Sequence, residues 1–369
     1  MNTKRILVTG GTGFIGSAVV RALVAAGHRV RSLDNDSRGS AQRLADIAAD
    51  LELVTGDIRN PAAVSAAARG VDAVCHLAAV NGTRHFYERP ELVLEVAVRG
   101  MLNVLDACRD HGVGDLVVFS SSEAYQSPPL VPTPEAVPLV VPDVLNPRYS
   151  YGGGKLASEL LAINFGRTGF SRVAIVRPHN VFGPDMGREH VVPELSLKVA
   201  ELRRQAGGPL RLPIQGSGQE TRAFLYIDDF VDGFLRVFDR GEHLGIYHIG
   251  SDHETTIGQV ARDIGAVFGR VLEVVPGQLA AGGTLAPLPR HFASSFAWLR
   301  APHAVGTSTR DHRSLVRPRF RAAQRRLAGE PPWPPSCLTP ARRASRFPAA
   351  RCAAAKISSR CCSSGICPR

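Results

Sequence analysis

The sequence has few aromatic residues and no long apolar run. Aromatic side chains make up 6% of the 369 residues, and no stretch reaches the roughly 20 apolar residues that a membrane-spanning helix needs. Near the N-terminus only Ile6 to Val8 form an apolar run, which is too short for the core of a signal peptide and fits a first β-strand. No membrane association is expected, and the default expectation is a cytoplasmic protein.

Cysteine is scarce in most of the chain. Seven cysteines occur, and only Cys75 and Cys108 precede residue 281. An odd number without periodic spacing does not form a disulfide framework, and the absence of a CxxC pair gives little support to a zinc site. The sequence therefore predicts a reduced protein without a metal ion.

Acidic residues are nearly absent from the end of the chain. Residues 281–369 contain sixteen Lys or Arg and two Asp or Glu, so the remaining 280 residues hold 28 basic and 31 acidic residues. Eleven of the 26 prolines also lie in this segment, and no helix or strand period persists there. We expect the tail, residues 285–369, to be unstructured or read out of frame. The alternatives are a natural disordered basic tail and a nucleic-acid-binding arm, although nucleic acid is not an expected partner.

Strand and helix signals alternate through the first part of the chain. Apolar residues at helical spacing predict helices over 14–26 and 93–112. Alternation of strands and helices is typical of an α/β fold, a doubly wound parallel sheet with helices on both faces. Seven prolines in residues 127–147 predict a long loop. The predicted strands cover residues 5–10, 30–34, 51–57, 73–79 and 116–122.

The first chemical motif is the glycine-rich stretch TGGTGFIG, which follows the first predicted strand and opens the first predicted helix. Its glycines allow a tight turn and close approach of the backbone to a pyrophosphate, and the helix N-terminus offers free N–H groups to the phosphates. The motif therefore predicts a dinucleotide site. The residues expected to contact the cofactor here are Gly10, Gly13, Phe14, Ile15 and Gly16.

An acidic residue ends the second predicted strand. Asp34 stands where a carboxylate binds the adenosine ribose hydroxyls, and it would repel a 2′-phosphate. This favours NAD as the cofactor, while Arg31 and Arg38 nearby keep NADP as the alternative. After the third strand, Asp57 and Ile58 are expected to lie beside the adenine.

The second motif is the stretch RYSYGGGKLASE, in which Tyr151 and Lys155 are one helical turn apart. A lysine beside a phenol is expected to lower the phenol pKa from about 10 towards neutrality, so that the tyrosine can take a proton from a sugar hydroxyl. Three consecutive glycines between them weaken a helix. We interpret Gly152–Gly154 as clearing space for nicotinamide and sugar.

Taken together, the motifs resemble the extended short-chain dehydrogenase/reductase family, from about residue 4 to residue 284. This resemblance implies a Rossmann-type NAD-binding domain and a smaller C-terminal substrate lobe that grips a nucleotide-diphosphate sugar. Its members are nucleotide-sugar epimerases, dehydratases and decarboxylases. The stretches that carry it are TGGTGFIG, HLAA (76–79), SSSEAY (120–125), Tyr151-x-x-x-Lys155 and VRPHNVFGP (176–184).

The resemblance also implies roles for single residues. Ser121 matches the catalytic Ser or Thr that hydrogen-bonds the sugar oxygen, and Lys155 would also hold the nicotinamide ribose. Asn180 and Arg222 match positions that bind the nucleotide diphosphate, a role that suits a planar guanidinium. In the HLAA stretch, the expected cofactor contacts are Leu77 and Ala78.

Two departures from the family pattern bear on the reaction. Ala97 stands where the family often has an active-site Asn. Glu123, in SSSEAY, resembles the carboxylate of dehydratases and decarboxylases, but Ser122 stands where thymidine-sugar dehydratases have a second acid. We expect an NAD-dependent epimerase that works through a 4-keto sugar. A 4,6-dehydratase or decarboxylase using Glu123, or a cofactor-binding but inactive protein, are the alternatives.

The resemblance divides the chain into three parts. Residues 1–178 are expected to form the NAD-binding domain, to which a segment at about 215–248 returns, and residues 179–284 the main part of the substrate lobe. The tail follows. Family members are commonly homodimers, joined through two helices that match 93–112 and 151–166.

Overall fold

A computed structural model describes residues 3–130, 133–188, 190–204 and 208–277. The predictions for the tail therefore lie outside the described residues. In the described part, no helix has the length and apolar character that crossing a membrane would require. The α-helices are α1 (Phe14–Ala25), α2 (Pro61–Ala68), α3 (Thr83–Glu88), α4 (Pro90–Asp110), α5 (Ser150–Gly166), α6 (Val191–Leu202), α7 (Ile227–Arg240) and α8 (Ile257–Val267).

The strands are short, and most carry β-branched residues. Three 3-10 helices, Ala41–Asp50, Ser122–Tyr125 and Pro147–Tyr149, complete the described elements. The strands are β1 (Arg5–Thr9), β2 (Arg29–Asp34), β3 (Leu51–Thr55), β4 (Ala73–His76), β5 (Asp115–Phe119), β6 (Arg172–Pro178), β7 (Val181–Phe182), β8 (Leu210–Gln215), β9 (Thr221–Ala223), β10 (Leu225–Tyr226), β11 (Gly245–Ile249), β12 (Glu254–Thr256) and β13 (Leu272–Gly277).

Within the described chain, seven strands form one parallel sheet in the order β11-β6-β5-β4-β1-β2-β3. The order reverses between β1 and β4, so the loops after these strands diverge and leave a crevice at their carboxyl ends. Ligands of doubly wound sheets bind at such a point. The predicted Rossmann-type α/β fold is confirmed.

The central strands are buried on both faces. Strands β4 and β5 are buried along their whole length, as expected for parallel strands covered by helices on both sides. One apolar cluster packs beneath α1 and α7, and a second packs beneath α2, α4 and α5. The helices therefore cover both faces of the sheet, and the loops at its carboxyl edge extend from well-packed strands.

Residues beyond β6 add a third apolar cluster. It joins α6, α8, β8 and β13 through side chains that include Leu195, Leu212, Val260 and Ile264. Strand β11 belongs to the large sheet, where it pairs with β6, while β8 pairs with β13 in a separate two-stranded sheet. The chain therefore leaves the large sheet after β6 and returns to it at β11.

Candidate active site

The glycine-rich turn between β1 and α1 has the geometry that a bound diphosphate requires. Gly10 has a φ of +74°, and a Cβ there would lie 2.7 Å from the backbone nitrogen of Ala78. A Cβ on Gly16 would lie 2.0 Å from the carbonyl oxygen of Gly10. These contacts bring α1 close to the sheet, and α1 begins at Phe14 with its first N–H groups unpaired within the helix. The residues present therefore fit a dinucleotide at this turn.

Asp34 ends β2 beside this turn. Its carboxylate accepts hydrogen bonds from the backbone N–H groups of Thr12 and Asp36, both at 3.0 Å. The Arg31 guanidinium pairs with Glu52 at 2.6 Å and is not among the residues that line the cavity. This arrangement removes one of the two cations that a 2′-phosphate could have used.

Asp57 follows β3 at the same edge of the sheet. Arg59 lies 2.8 Å from its carboxylate, and Asn35 donates to it at 3.0 Å. The hydrogen bonds from Arg59 lower the pKa of Asp57 to about 2. Ile58 lies against Gly100 of α4, where a Cβ would come within 2.2 Å of the Ile58 side chain. Asp57 therefore remains a carboxylate and α4 packs tightly behind it.

One cavity of about 470 Å³ extends from the glycine turn to the N-terminal end of α5. Every site residue predicted from the sequence lines it. They are Gly10, Gly13, Phe14, Ile15, Gly16, Asp34, Asp57, Ile58, Leu77, Ala78, Ser121, Glu123, Tyr151, Lys155, Asn180 and Arg222.

Tyr151 and Lys155 lie one turn apart in α5 and are both buried, with 8% and 6% of their surface exposed. The Lys155 ammonium donates to the carbonyl oxygen of Phe119 at 2.7 Å and lies 5.8 Å from the centre of the Tyr151 ring. Tyr151 stacks on Phe86 with ring centres 5.4 Å apart, and Ser121 lines the cavity with it. The predicted pair is therefore held against the end of β5.

The expected lowering of the Tyr151 pKa is not found in the protein alone. Burial is the main reason that the pKa of Tyr151 is raised to about 12; Ser121 opposes this rise, and the Glu123 carboxylate adds to it. Burial also lowers the pKa of Lys155 to about 8. The reason is desolvation: neither charged form is favoured away from water.

The interpretation of the three glycines is wrong. A Cβ on Gly152 would lie 2.5 Å from the Glu123 carbonyl oxygen, and a Cβ on Gly154 would lie 2.9 Å from the Ala97 side chain. At Gly153 the nearest atom, in Val141, is 3.6 Å away, which is an ordinary contact. None of the three glycines lines the cavity. Gly152 and Gly154 allow α5 to pack against the segment after β5 and against α4.

Glu123 lies in the 3-10 helix after β5, where the Ser121 hydroxyl caps the helix by accepting from the Glu123 N–H at 3.1 Å. The Glu123 carboxylate pairs with Arg148 at 3.2 Å, and the two side chains are 26% and 11% exposed. The Arg148 guanidinium also lies 5.2 Å from the centre of the Phe86 ring. Sequence reasoning missed both Arg148 and Phe86.

A signal for Arg148 was present in the stretch RYSYGGGK, three residues before Tyr151. Arg148 lies in the 3-10 helix that directly precedes α5, and a cation so close to Tyr151 in the chain was as visible as Lys155. Phe86 carried no such signal, because it lies 65 residues away and meets Tyr151 only through the fold.

Asn180 and Arg222 also line the cavity. Asn180 has a φ of +38° and donates from Nδ2 to the carbonyl oxygen of Ala223 at 3.0 Å. Arg222 donates to the carbonyl oxygen of Thr221 at 2.7 Å. Burial lowers the pKa of Arg222, an effect that Glu123 and Glu220 oppose. This guanidinium is a partly desolvated cation facing the cavity.

A buried polar cluster connects α5 with strand β6. Arg177 of β6 pairs with Glu159 at 2.6 Å, and both side chains are almost fully buried. Arg177 also donates to the Tyr125 hydroxyl and, at 3.1 Å, to the carbonyl oxygen of Glu135. Tyr125 of the SSSEAY stretch and Arg177 of the VRPHNVFGP stretch therefore tie α5 to the proline-rich loop, and these two side chains do not line the cavity.

Known enzymes are similar to this chain in sequence, and solved structures are similar to it in fold. The dTDP-4-dehydro-6-deoxy-D-allose reductase of Streptomyces bikiniensis is 33% identical over 281 residues, covering 72% of this chain and 82% of that protein. The UDP-N-acetyl-alpha-D-glucosaminuronate decarboxylase of Bacillus cytotoxicus is 30% identical over 266 residues, covering 71% of this chain and 79% of that protein. The solved dTDP-glucose 4,6-dehydratase of Streptomyces venezuelae, with NAD bound, is 28% identical, covers 89% of this chain and 100% of that chain, and has a TM-score of 0.72.

A family model described as the NAD dependent epimerase/dehydratase family matches residues 6–250. This match spans β1 to β11 and so includes the glycine turn and the whole of α5. The resemblance drawn from the motifs is confirmed, and so is NAD as the cofactor of the family. The chain belongs to the NAD-dependent epimerase/dehydratase family of nucleotide-sugar enzymes.

Proposed function

We propose that the protein is an NAD-dependent nucleotide-sugar epimerase that inverts C4 through a 4-keto sugar. The observation that supports this most is that Ser121, Tyr151 and Lys155 line one end of the cavity that begins at the glycine turn. This arrangement places a phenol and a hydroxyl at the same end, where a sugar hydroxyl can reach both. NAD, when bound, supplies the acceptor and donor of the C4 hydride.

Tyr151 is the proton acceptor in this proposal. Ser121 favours the phenolate, which offsets part of the effect of burial on the Tyr151 pKa. Lys155 holds a positive charge on the same face of α5, 5.8 Å from the phenol ring. Tyr151 takes the proton of the C4 hydroxyl when the sugar is oxidised and returns it when the sugar is reduced.

Arg222 and Asn180 hold the nucleotide diphosphate. A guanidinium forms strong charge-assisted hydrogen bonds with phosphate oxygens, and Arg222 lies in the cavity wall as a largely buried cation. The main partner is therefore a nucleotide-diphosphate sugar. We assign residues 1–178 with the returning segment at about 215–248 to the NAD-binding domain, and residues 179–284 mainly to the substrate lobe.

Elimination or decarboxylation assisted by Glu123 is the second candidate. The observation that favours it is that the Glu123 carboxylate lines the same cavity as Tyr151. Elimination of water also needs an acid for the leaving hydroxyl, and Ser122 occupies the matching position. Arg148 pairs with Glu123 at 3.2 Å, and an ion-paired carboxylate is a weaker base. Epimerisation needs neither group as a base.

A homodimer is part of the proposal. Helices α4 and α5 pack side by side and leave Leu94 and Leu160 exposed on their outer faces, at 41% and 55%. A second copy of the same helix pair would cover these side chains. Sedimentation of the purified protein tests this, with Leu160→Glu as the variant expected to yield monomers.

Incubation with NAD⁺ and a panel of UDP- and dTDP-sugars tests the proposed function. The expected product has the mass of the substrate and an inverted C4 by NMR. A mass loss of 18 would identify a dehydratase, and a loss of 44 from a uronic acid would identify a decarboxylase. NAD binding without turnover of any sugar would identify the remaining alternative, a cofactor-binding but inactive protein.

A further inference from the structure

The cavity wall carries more positive than negative charge near Tyr151. Arg148, Lys155 and Arg222 line this end, and Glu123 is the acid that lies with them in the described residues. The other carboxylates of the lining, Asp34 and Asp57, belong to the opposite end, beside the glycine turn. A ligand at the Tyr151 end must therefore bring negative charge if the buried cations are to be neutralised.

Two of these cations already have a role. Lys155 donates to the Phe119 carbonyl oxygen and lies beside the Tyr151 ring, and the proposed function assigns Arg222 to the diphosphate. Arg148 is the third cation, and neither of these roles involves it. We infer that Arg148 binds an acid group on the sugar itself, so that the substrate is a nucleoside-diphosphate sugar acid of the uronate type. This inference rests on the proposed function for the placement of the sugar.

The position of Arg148 is fixed by its surroundings. Its backbone N–H donates to the Asn146 side chain at 3.0 Å, in the short 3-10 helix before α5. Its guanidinium lies 5.2 Å from the centre of the Phe86 ring, the same ring that stacks on Tyr151. An arginine held on an aromatic face loses little side-chain freedom when it binds an anion.

The Arg148 guanidinium also has N–H donors that make no side-chain hydrogen bond within the described residues. An arginine has five N–H donors. Within the described residues, Arg148 uses only Nη2 for a side-chain hydrogen bond, to both Glu123 oxygens at 3.2 and 3.5 Å. The Nε and Nη1 groups are left to bind a second carboxylate. With 11% of its side chain exposed, Arg148 has little water to satisfy them, so an anionic ligand gains a strong, desolvated contact.

The chemistry of the sugar is consistent with this position. Tyr151 acts at the C4 oxygen, and in a hexuronate the C6 carboxylate is attached to the adjacent carbon, C5. Phe86 contacts both Tyr151 and Arg148, so the two groups serve the same end of the sugar. Bridging of Glu123 and the sugar carboxylate by a single guanidinium avoids repulsion between the two acids.

Equilibrium binding tests the inference independently of turnover. Titration calorimetry of the NAD⁺-loaded protein is carried out with UDP-glucuronate, UDP-glucose, dTDP-glucuronate and dTDP-glucose. We expect the uronate of at least one nucleotide to bind about ten times more tightly than the matching glucose, or better. In Arg148→Gln, uronate affinity should fall about 10- to 150-fold, the effect of losing a hydrogen bond to a charged group, while glucose affinity should change by less than threefold.

Two further variants make the test specific. Arg148→Lys keeps the charge and should retain part of the uronate preference. Arg211→Gln breaks a comparable pair, with Glu273 at 3.5 Å, on exposed side chains outside the cavity, and should bind both sugars as the wild type does. NADH fluorescence of each variant reports whether the cofactor site is intact.

Equal affinity of wild-type protein for uronate and glucose, or no measurable uronate binding, would overturn the inference even if Arg148→Gln fails to fold. An equal loss of both sugars in Arg148→Gln would also overturn it and place Arg148 at the diphosphate. Absence of turnover with preserved uronate preference would reject the proposed function and leave the Arg148 site standing.

Discussion

The ammonium nitrogen of Lys155 lies 2.7 Å from the carbonyl oxygen of Phe119, the last residue of β5. This bond connects the face of α5 that carries Tyr151 with the carboxyl edge of the sheet, where Ser121 follows two residues later. Lys155 therefore anchors the helix that carries Tyr151 to the strand end that precedes Ser121. The site depends on this anchoring as much as on the charge of the lysine.

Replacement of Tyr151 by Phe should leave NAD binding nearly unchanged and lower kcat about 10²- to 10⁴-fold, because the ring keeps its stack on Phe86 while the proton acceptor is lost. Tyr149→Phe is the matched control, since Tyr149 does not line the cavity. NADH fluorescence and product assays measure the two effects. A Tyr151→Phe variant with more than about a tenth of the wild-type kcat would rule out Tyr151 as the general base.

Replacement of Asp34 by Asn should weaken NAD binding and narrow the preference for NAD over NADP. Thr12 and Asp36 donate to different oxygens of Asp34, so the amide, with its single acceptor oxygen, loses one of these bonds together with the charge. Asp50→Asn, on an exposed residue away from the cavity, is the control. Unchanged affinity for both dinucleotides would show that Asp34 does not contact the ribose.

Gly152 and Gly153 should respond oppositely to alanine. Gly153→Ala should raise the free energy of unfolding by about 0.5–1 kcal/mol, because its Cβ meets only Val141 at 3.6 Å and alanine is the better helix former. Gly152→Ala should lower it by about 1–3 kcal/mol, because the Glu123 carbonyl oxygen cannot move freely from 2.5 Å. Urea denaturation measures both changes, and the reverse order would contradict the packing contacts described for Gly152 and Gly153.

His76 should make stability depend on pH. Burial, with a smaller effect of Lys155, lowers its pKa to about 3 from the ordinary 6.5, and it is hydrogen-bonded to Thr9 at 2.8 Å. Below pH 6.5 the unfolded chain binds a proton that the native state does not. The free energy of unfolding should therefore fall as pH falls from 6.5 towards 3, by up to about 1.4 kcal/mol per pH unit.

His76→Gln isolates this contribution, because an amide can still bond to Thr9. We measure the slope of the unfolding free energy against pH between pH 5 and 6.5. In this variant the slope should decrease by most of the about 1.4 kcal/mol per pH unit that one bound proton contributes. His253→Gln, on an exposed side chain, is the control. An unchanged slope in His76→Gln would mean that this histidine is protonated in the native state.

The sequence was sufficient for five of the seven strands of the large sheet and for sixteen residues of the cavity lining, because these rest on local patterns. Strand β4, for instance, was visible as an apolar run, and the glycine turn as a motif with a strand before it and a helix after it. The expected strand ends were too long by up to three residues at β4 and β5. The chain turns away as soon as it leaves the sheet edge, although apolar residues continue after β4, and three serines follow β5.

The contacts that depend on packing between distant segments could not be predicted. Gly152 looked like a ligand contact because its true neighbour, the Glu123 backbone, is defined only by the fold. The stack of Phe86 on Tyr151 has the same origin. The pKa of Tyr151 was misjudged because one cation in the sequence was weighed without the desolvation of the phenol, which the structure shows to be the larger effect.

The central claim, oxidation and reduction at a single sugar carbon, is tested most directly with sugars deuterated at C4. UDP-glucose, dTDP-glucose and the corresponding glucuronates carrying deuterium at C4 are incubated with the protein and NAD⁺, and the product is analysed by NMR. We predict deuterium retained at C4, in a product of unchanged mass whose C4 configuration is inverted. Deuterium at C6 in a product 18 mass units lighter, or exchange of the C4 deuterium with solvent, would contradict the account.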